Sequence, residues 1–417
     1  MMIKGTEKAP AIRFRGFTDD WEQRKLGEMA ESFQYGLNAA AKKYDGKNKY
    51  IRITDIDDLS HEFSQSNLTS PDTDISQADN YRLNEGNILF ARTGASVGKT
   101  YIYKHSDGRV YYAGFLIRAK LFKEYDSEFV FQNTLTSKYK RFIQITSQRS
   151  GQPGVNAQEY ENYGLMVPSL KEQKGIGSLL ANLDKLITLH QHKLEQQKKL
   201  KKYFLQNMFP EEGETVPRIR FKGFTGDWEQ RKFADLATVR RGLTYKPHNV
   251  IEEGKRVLRS SNINEDTFQV HNDDVFVDEN VVNIPCVNNG DILITSANGS
   301  SRLIGKHAII RNIPENSAVH GGFMLLASSD ESEFVNALMS SLWYTKFINA
   351  YVAGGNGAIG NLNKNDLDKQ IAYVPQKEEM HKIGDFFGNL DHIITLHQRK
   401  IDQLQAMKKF MLQNLFV

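Results

Sequence analysis

VPSLKEQKGIGSLLANLDKLITLHQHKLEQQKKLKKYFLQNMFP, residues 167–210, returns without a gap as VPQKEEMHKIGDFFGNLDHIITLHQRKIDQLQAMKKFMLQNLFV, residues 374–417, with 21 of 44 positions identical. In the first copy Leu183, Ile187, His190, Leu194, Gln197, Lys201, Phe204 and Met208 follow a four-three spacing, and Leu390, Ile394, His397, Ile401, Leu404, Lys408, Met411 and Leu415 repeat it. That period places each set on one stripe of an α-helix. Pro168 and Pro375 stand at or just before the helix start, where a proline is tolerated, and neither block carries an internal proline. About 39 helical residues make a rod about 58 Å long, longer than most globular helices. On the seam, His190 and His397 read as packed or hydrogen-bonded side chains, and Lys201 and Lys408 are expected to snorkel. The run KKLKK from Lys198 reads as the wet face of the helix.

The same offset of 207 residues recurs upstream, where PAIRFRGFTDDWEQRK (10–25) matches PRIRFKGFTGDWEQRK (217–232) at 13 of 16 positions. Short motif, filling and long block therefore occur twice in that order and account for almost the whole chain. Between them the fillings share only an outline, including GNILF at Gly86 against GDILI at Gly290, and Asn156 against Asn363. YIRITDI at Tyr50, VYYAGFLIRAKLF at Val110 and HAIIRNI at His307 are rich in β-branched and aromatic residues and punctuated by turn formers, which reads as strands. A compact domain usually keeps its ends close, so the second filling returns the chain near the end of the first helix and the second helix runs back antiparallel. Phe17, Trp21, Phe224 and Trp228 of the short motif are expected to bury against the adjoining helices.

The expected fold is thus α+β: two α/β domains joined by two long antiparallel helices that form a coiled-coil spacer, with an internal pseudo-twofold repeat of 207 residues. Its expected segments are 1–166 (short motif 10–26), helical region 167–210, 211–373 (short motif 217–233) and helical region 374–417. Leu183, Ile187, Leu194, Leu390, Ile394 and Ile401 should hold the helical frame together.

Hydrophobic residues make up 40% of the chain and charged residues 25%, the balance of a globular protein. There is no run of about 18 apolar residues and no signal-peptide core at the N-terminus, so a cytoplasmic location is expected. Cys286 is the single cysteine, which leaves neither an internal disulfide nor a zinc-finger pattern. The net charge of +4 sits in the repeated pieces: residues 27–166 carry 17 basic and 17 acidic side chains, and residues 234–373 carry 12 and 16. Contact of the fillings with a polyanion therefore needs local patches.

Catalytic motifs are missing or incomplete. GASVGKT at Gly94 is one residue short of a phosphate-binding loop and has no counterpart in the second half. NIPC at Asn283 and NIPE at Asn312 do not supply the Asp/Asn-Pro-Pro-Tyr motif of an amino-methyltransferase, and Pro71-Asp72 lacks the carboxylate-x-Lys that a nuclease metal site needs. The His-Glu-x-x-His pattern is absent, GASVG at Gly94 spells the Gly-x-Ser-x-Gly of a nucleophile elbow only as part of that same glycine-rich turn, and Asp57/Asp58 and Asp273/Asp274 read as turns. No catalysis, cofactor or metal is expected.

What remains are polar, basic-dotted loops at matching places: ARTGASVGKTYIYK from Ala91 and SQRSGQPGVN from Ser147, then LRSSN from Leu258, SANGSSR from Ser296 and AGGNGAIGNLNKN from Ala353. Arg, Asn, Gln and Lys read base edges by paired hydrogen bonds, and Ser and backbone N–H groups hold phosphates. Composition alone reads these as ordinary surface loops; the residues in them with the chemistry to contact DNA are Arg92, Ser96, Lys99, Arg149, Gln152 and Asn156 in the first half, and Arg259, Asn262, Asn298, Arg302, Asn356 and Asn363 in the second. Asn156 and Asn363, being equivalent, read equally well as structural turn residues.

The paired GFTDDWEQRK and GFTGDWEQRK, and NLDKLITLHQHK…LQNMF against NLDHIITLHQRK…LQNLF, make the whole chain resemble the specificity subunit of type I restriction-modification systems. The resemblance implies two target recognition domains, each reading one half of a split, asymmetric double-stranded DNA sequence. It also implies helices that set the spacing and dock two modification (methyltransferase) subunits, with restriction subunits joining through the complex and no membrane partner. Two other classes compete: a protein- or glycan-binding scaffold without a DNA role, and an enzyme whose site is assembled from scattered residues.

Overall fold

In the computed structural model, which describes residues 8–149, 151–352 and 361–417, the repeated EQRK segments become strands. Glu22–Lys25 pairs antiparallel with Gly164–Val167, and Glu229–Lys232 pairs in the same way with Ile371–Val374. Each pair ties the start of a filling to its end, directly ahead of a long helix. Those helices run unbroken over Leu170–Asn207 and Lys377–Asn414, 38 residues each. All sixteen seam side chains are buried or half-buried, as their spacing predicts.

The chain forms two compact units, Met1–Gln191 with Arg399–Val417, and His192–Gln398. Each unit combines one filling with the first part of the helix that follows it and the last part of the other helix. In the first unit Ile12 N–H donates to Asn414 O at 2.9 Å, and the neighbouring Arg13 forks onto Glu172, its Nε and Nη2 at 2.8 and 2.9 Å from the carboxylate oxygens. Further along, Lys408 meets Asp184 at 2.5 Å, so the two helical segments run antiparallel there. The second unit repeats this with Ile219 N–H on Asn207 O at 2.8 Å, Arg220 on Glu379 at 2.7 Å for both contacts, and Lys201 on Asp391 at 2.6 Å.

Lys201 and Lys408 therefore do not snorkel. Each faces the aspartate that the other helix presents at the equivalent seam position, and an ion pair inside the seam replaces a solvated ammonium. Burial opposes the charge on Lys201, but Asp391 and Asp266 outweigh it and hold its pKa above the ordinary value.

The fillings share one four-stranded sheet of the same strand order. In the first unit a four-stranded antiparallel sheet has the order Ala30–Tyr35, Leu116–Leu121, Ile88–Ala91, Thr100–Ile102. In the second the order is Thr238–Arg241, Met324–Ser328, Ile292–Thr295, His307–Ile309. A parallel pair sits beside each sheet, Lys49–Ile51 with Val110–Tyr112 and Lys255–Leu258 with Ala318–His320. The close approach between these layers fixes one residue type: a Cβ on Gly36 would lie 2.2 Å from Ala113 O, and one on Gly242 2.0 Å from Gly321 O.

Trp21 is buried with its ring edge-on to Phe129 at 5.8 Å, in a core that takes in Ile176, Leu180 and Leu183 of the first long helix. Trp228 lies edge-on to Phe209 at 6.2 Å, in a core with Ile383, Phe387 and Leu390 of the second. Leu194, Ile187 and Ile401 are buried and Ile394 is half-buried. Phe17 and Phe224 are half-buried, and Lys382 Nζ stands 4.9 Å above the Phe224 ring. Among the described residues no helix is long and apolar enough to cross a membrane.

Candidate functional site

The sheet strands Ile88–Ala91 and Thr100–Ile102 are fully buried, and the segment between them turns over as a hairpin loop. GASVGKT is that loop: it leads into a strand, not a helix, so its N–H groups cannot line up as a phosphate cradle. A second loop, after the helix Ser137–Thr146, folds onto it. Gly94 N–H donates to Pro153 O at 3.0 Å and Val155 N–H to Arg92 O at 2.9 Å. Arg92 lies 4.9 Å above the Tyr35 ring, and Tyr35 Oη accepts Ala157 N–H at 3.2 Å. Arg92, Gln152 and Asn156, distant in sequence, thus meet in one loop cluster, with Gln152 and Asn156 exposed.

Asn156 also has a structural task. Its Oδ1 accepts Glu159 N–H at 2.9 Å and caps the helix Ala157–Glu161, while the Glu159 carboxylate accepts Asn156 N–H. Arg149 donates to Thr146 O and Gln148 O at 2.7 and 2.9 Å and pairs with Glu159. Ser96 and Lys99 face another way, lining a cleft of about 780 Å³ with Asp184, Lys408 and Lys409 of the long helices. Lys99 is nearly enclosed there, paired with Asp58 and donating to Ile56 O at 3.0 Å.

The second unit builds its counterpart from different residues. Ser296 and Leu362 exchange hydrogen bonds, N–H of Leu362 to Ser296 O at 2.8 Å and Ser296 Oγ to Leu362 O at 3.1 Å. Arg259 and Asn298 line an open concavity of about 790 Å³ with Tyr245, Gly322, Phe323 and Asn361, and no acidic side chain is among the described residues that line it. Asn298 Nδ2 donates to Ser260 Oγ at 2.9 Å, and its Oδ1 accepts Ser300 N–H at 3.0 Å. Arg302 is exposed on the short turn Ser301–Leu303. Asn363 caps the helix Lys364–Asp368 through Asn365 N–H at 3.3 Å, and Asn356 lies outside the described residues.

Asn262 is fully buried. Its amide donates to Gln269 O and to the Asp274 carboxylate, each at 2.9 Å, and its oxygen accepts Arg259 N–H at 2.8 Å. The two halves differ here in a telling way. At the equivalent place in the first unit Asp55 holds Arg52 by two bonds of 2.9 and 2.8 Å. With the neutral Asn262 replacing that carboxylate, the Arg259 guanidinium has no such clamp, and its Nε has no hydrogen-bond partner within the protein.

Sequence reasoning missed the aromatic part of both sites, Tyr35 and Phe115 in one and Tyr245 and Phe323 in the other. The signal was there: Gly-Phe at 114–115 and at 322–323 survives in both fillings.

The family described as "Type I restriction modification DNA specificity domain" matches residues 18–199 and again 225–406. The specificity subunit of the type I restriction enzyme MjaVIII from Methanocaldococcus jannaschii is 20% identical over 402 residues, covering 94% of this chain and 91% of that protein. The crystal structure of a type I restriction-modification S subunit from M. genitalium superposes with a TM-score of 0.70 at 14% identity, covering 98% of this chain and 99% of that one, so the two share a fold.

Proposed function

The chain belongs to the type I restriction modification DNA specificity domain family, and on that footing we propose that it is the subunit that chooses the DNA sequence for a type I complex while partner subunits supply the chemistry. Each unit reads one half of a bipartite, asymmetric target in double-stranded DNA. One observation carries this reading: a single sheet topology holds loop clusters of different composition at equivalent places, Arg92, Gln152 and Asn156 in one and Arg259, Asn298 and Asn361 in the other. A shared scaffold with exchanged polar side chains is what reading two different base sequences requires.

The long helices set the gap between half-sites and carry two modification subunits. In the first unit they leave Leu186, Leu189, Met407 and Phe410 exposed, and in the second Ile393, Leu396, Leu200 and Tyr203, each residue 207 positions from its equivalent. Apolar surface repeated at an offset of 207 residues, once in each unit, suits the same partner docking twice. Restriction subunits join through the assembled complex, and the whole acts in the cytoplasm, where its DNA is. The chain itself contributes no catalytic group.

The test is to co-express the chain with its methyltransferase partner, map the methylated sequence, and replace residues 27–150 by the matching segment of a relative. One half of the methylated sequence should change and the other should stay. A change in both halves, in neither, or no sequence-specific methylation at all overturns the proposal.

A further inference from the structure

Phe115 and Phe323 are the two most exposed of the phenylalanine, tyrosine and tryptophan residues described, at 62% and 75%. Each occupies the third position of a tight turn, closed by Leu116 N–H on Ala113 O at 2.9 Å and by Met324 N–H on Gly321 O at 2.8 Å. Each turn is also tied to the loop cluster beside it. Phe115 O accepts Arg92 N–H at 3.0 Å, and Phe323 O accepts the N–H groups of Ser296 and Ala297 at 2.9 and 3.0 Å. The backbone is thus held at both ends of the peptide while the ring projects into water.

A ring left in solvent contributes nothing to the core, yet both fillings keep it while little else in them agrees. Whatever the ring serves must be common to both halves, whereas base identity is what differs between them. Contact with the apolar faces of the bases is common, because every base has one. In the second unit the ring borders the acid-free concavity with Arg259 and Asn298, a surface on which a polyanion meets no repulsion. In the first it adjoins Arg92.

Resting on the function proposed above, we infer that Phe115 and Phe323 are sequence-independent wedges, each pressing its ring against a base step within its own half-site. Apolar side chains used in this way partly unstack the step and position the duplex for the polar side chains nearby.

The experiment uses the chain assembled with its methyltransferase partner and a duplex carrying the methylated sequence mapped from the host, with 2-aminopurine walked through both half-sites. The wild-type complex should raise the fluorescence at one step in each half. Phe323→Ala should abolish the rise in one half and weaken binding by about tenfold, and Phe115→Ala should do so in the other. The variants should keep their melting temperature and assembly, because both rings are exposed. If the wild-type complex binds with no rise, or either alanine variant binds within about twofold of wild type, the wedge is wrong while the DNA-reading function stands. Lost assembly in the variants assigns the rings to a protein contact and overturns the wedge. A wild-type complex that binds no duplex overturns both.

Discussion

At Arg52 and Arg259 one residue of difference decides what a side chain can do. Asp55 and Asn262 both accept the backbone N–H of their arginine, but Asp55 also immobilises the Arg52 guanidinium by a bidentate bond, whereas Asn262 turns its amide nitrogen to Gln269 O and Asp274 and leaves the Arg259 guanidinium to face the concavity. Arg259→Ala should therefore relax base preference at one position of one half-site and cost about 1–3 kcal/mol of target binding. Arg52→Ala should lower stability and leave the methylated sequence unchanged. Methylation mapping of both variants separates these outcomes. His320 offers a second check. It is buried at the edge of the same sheet system, and burial above all pushes its pKa from 6.5 down to about 4. The unfolded chain takes up this proton first, so the contribution of neutral His320 is complete above pH 6.5 and is lost as pH falls toward 4. The loss amounts to about 3 kcal/mol. Urea unfolding at pH 7 and pH 4.5 should show His320→Gln losing less stability on acidification than wild type. Arg52 and Arg259 were visible in the sequence as equivalents. Their different partners were not, because Asp55 and Asn262 are just another pair of mismatched residues until the turn brings them under the arginine.

The long helices were the most legible elements. A four-three spacing sustained over eight positions has one structural solution, and the helices run where it places them. Strands such as Ile88–Ala91 and Ile292–Thr295 are buried on both faces, so they lack the alternation that would have given their register and neighbours. The seam lysines were misread for a related reason: periodicity puts Lys201 on the seam but cannot say that Asp391 lies opposite. Breaking such a buried pair leaves an uncompensated charge. The helices also carry a prediction about spacing. Four residues inserted at equivalent points in both lengthen each by about 6 Å, close to two base pairs at about 3.4 Å per step. The unread gap in the methylated sequence should grow by about two base pairs with both half-sites unchanged. An unchanged gap would show that the helices do not set it.

For the molecule as a whole, charge distribution matters more than any one contact. The fillings together carry four more acidic than basic side chains, so the chain alone has little counterion release to draw on. It should bind its target weakly when isolated, and far more tightly, with a steeper salt dependence, once the methyltransferase partner is present. Fluorescence anisotropy from about 50 to 200 mM salt measures both slopes. The amino-acid sequence determined the duplication, the two helices, the strand-rich fillings and the family, because these are written in period, offset and identity along one dimension. Tertiary structure alone decided that Arg92 meets Gln152 and Asn156, that Lys99 is enclosed and pairs with an exposed Asp58, that Asn262 is buried and that Phe115 and Phe323 are not. Those outcomes turn on contacts between loops far apart in the chain. Local periodicity says nothing about them, since a loop's partners are set by the sheet that carries it.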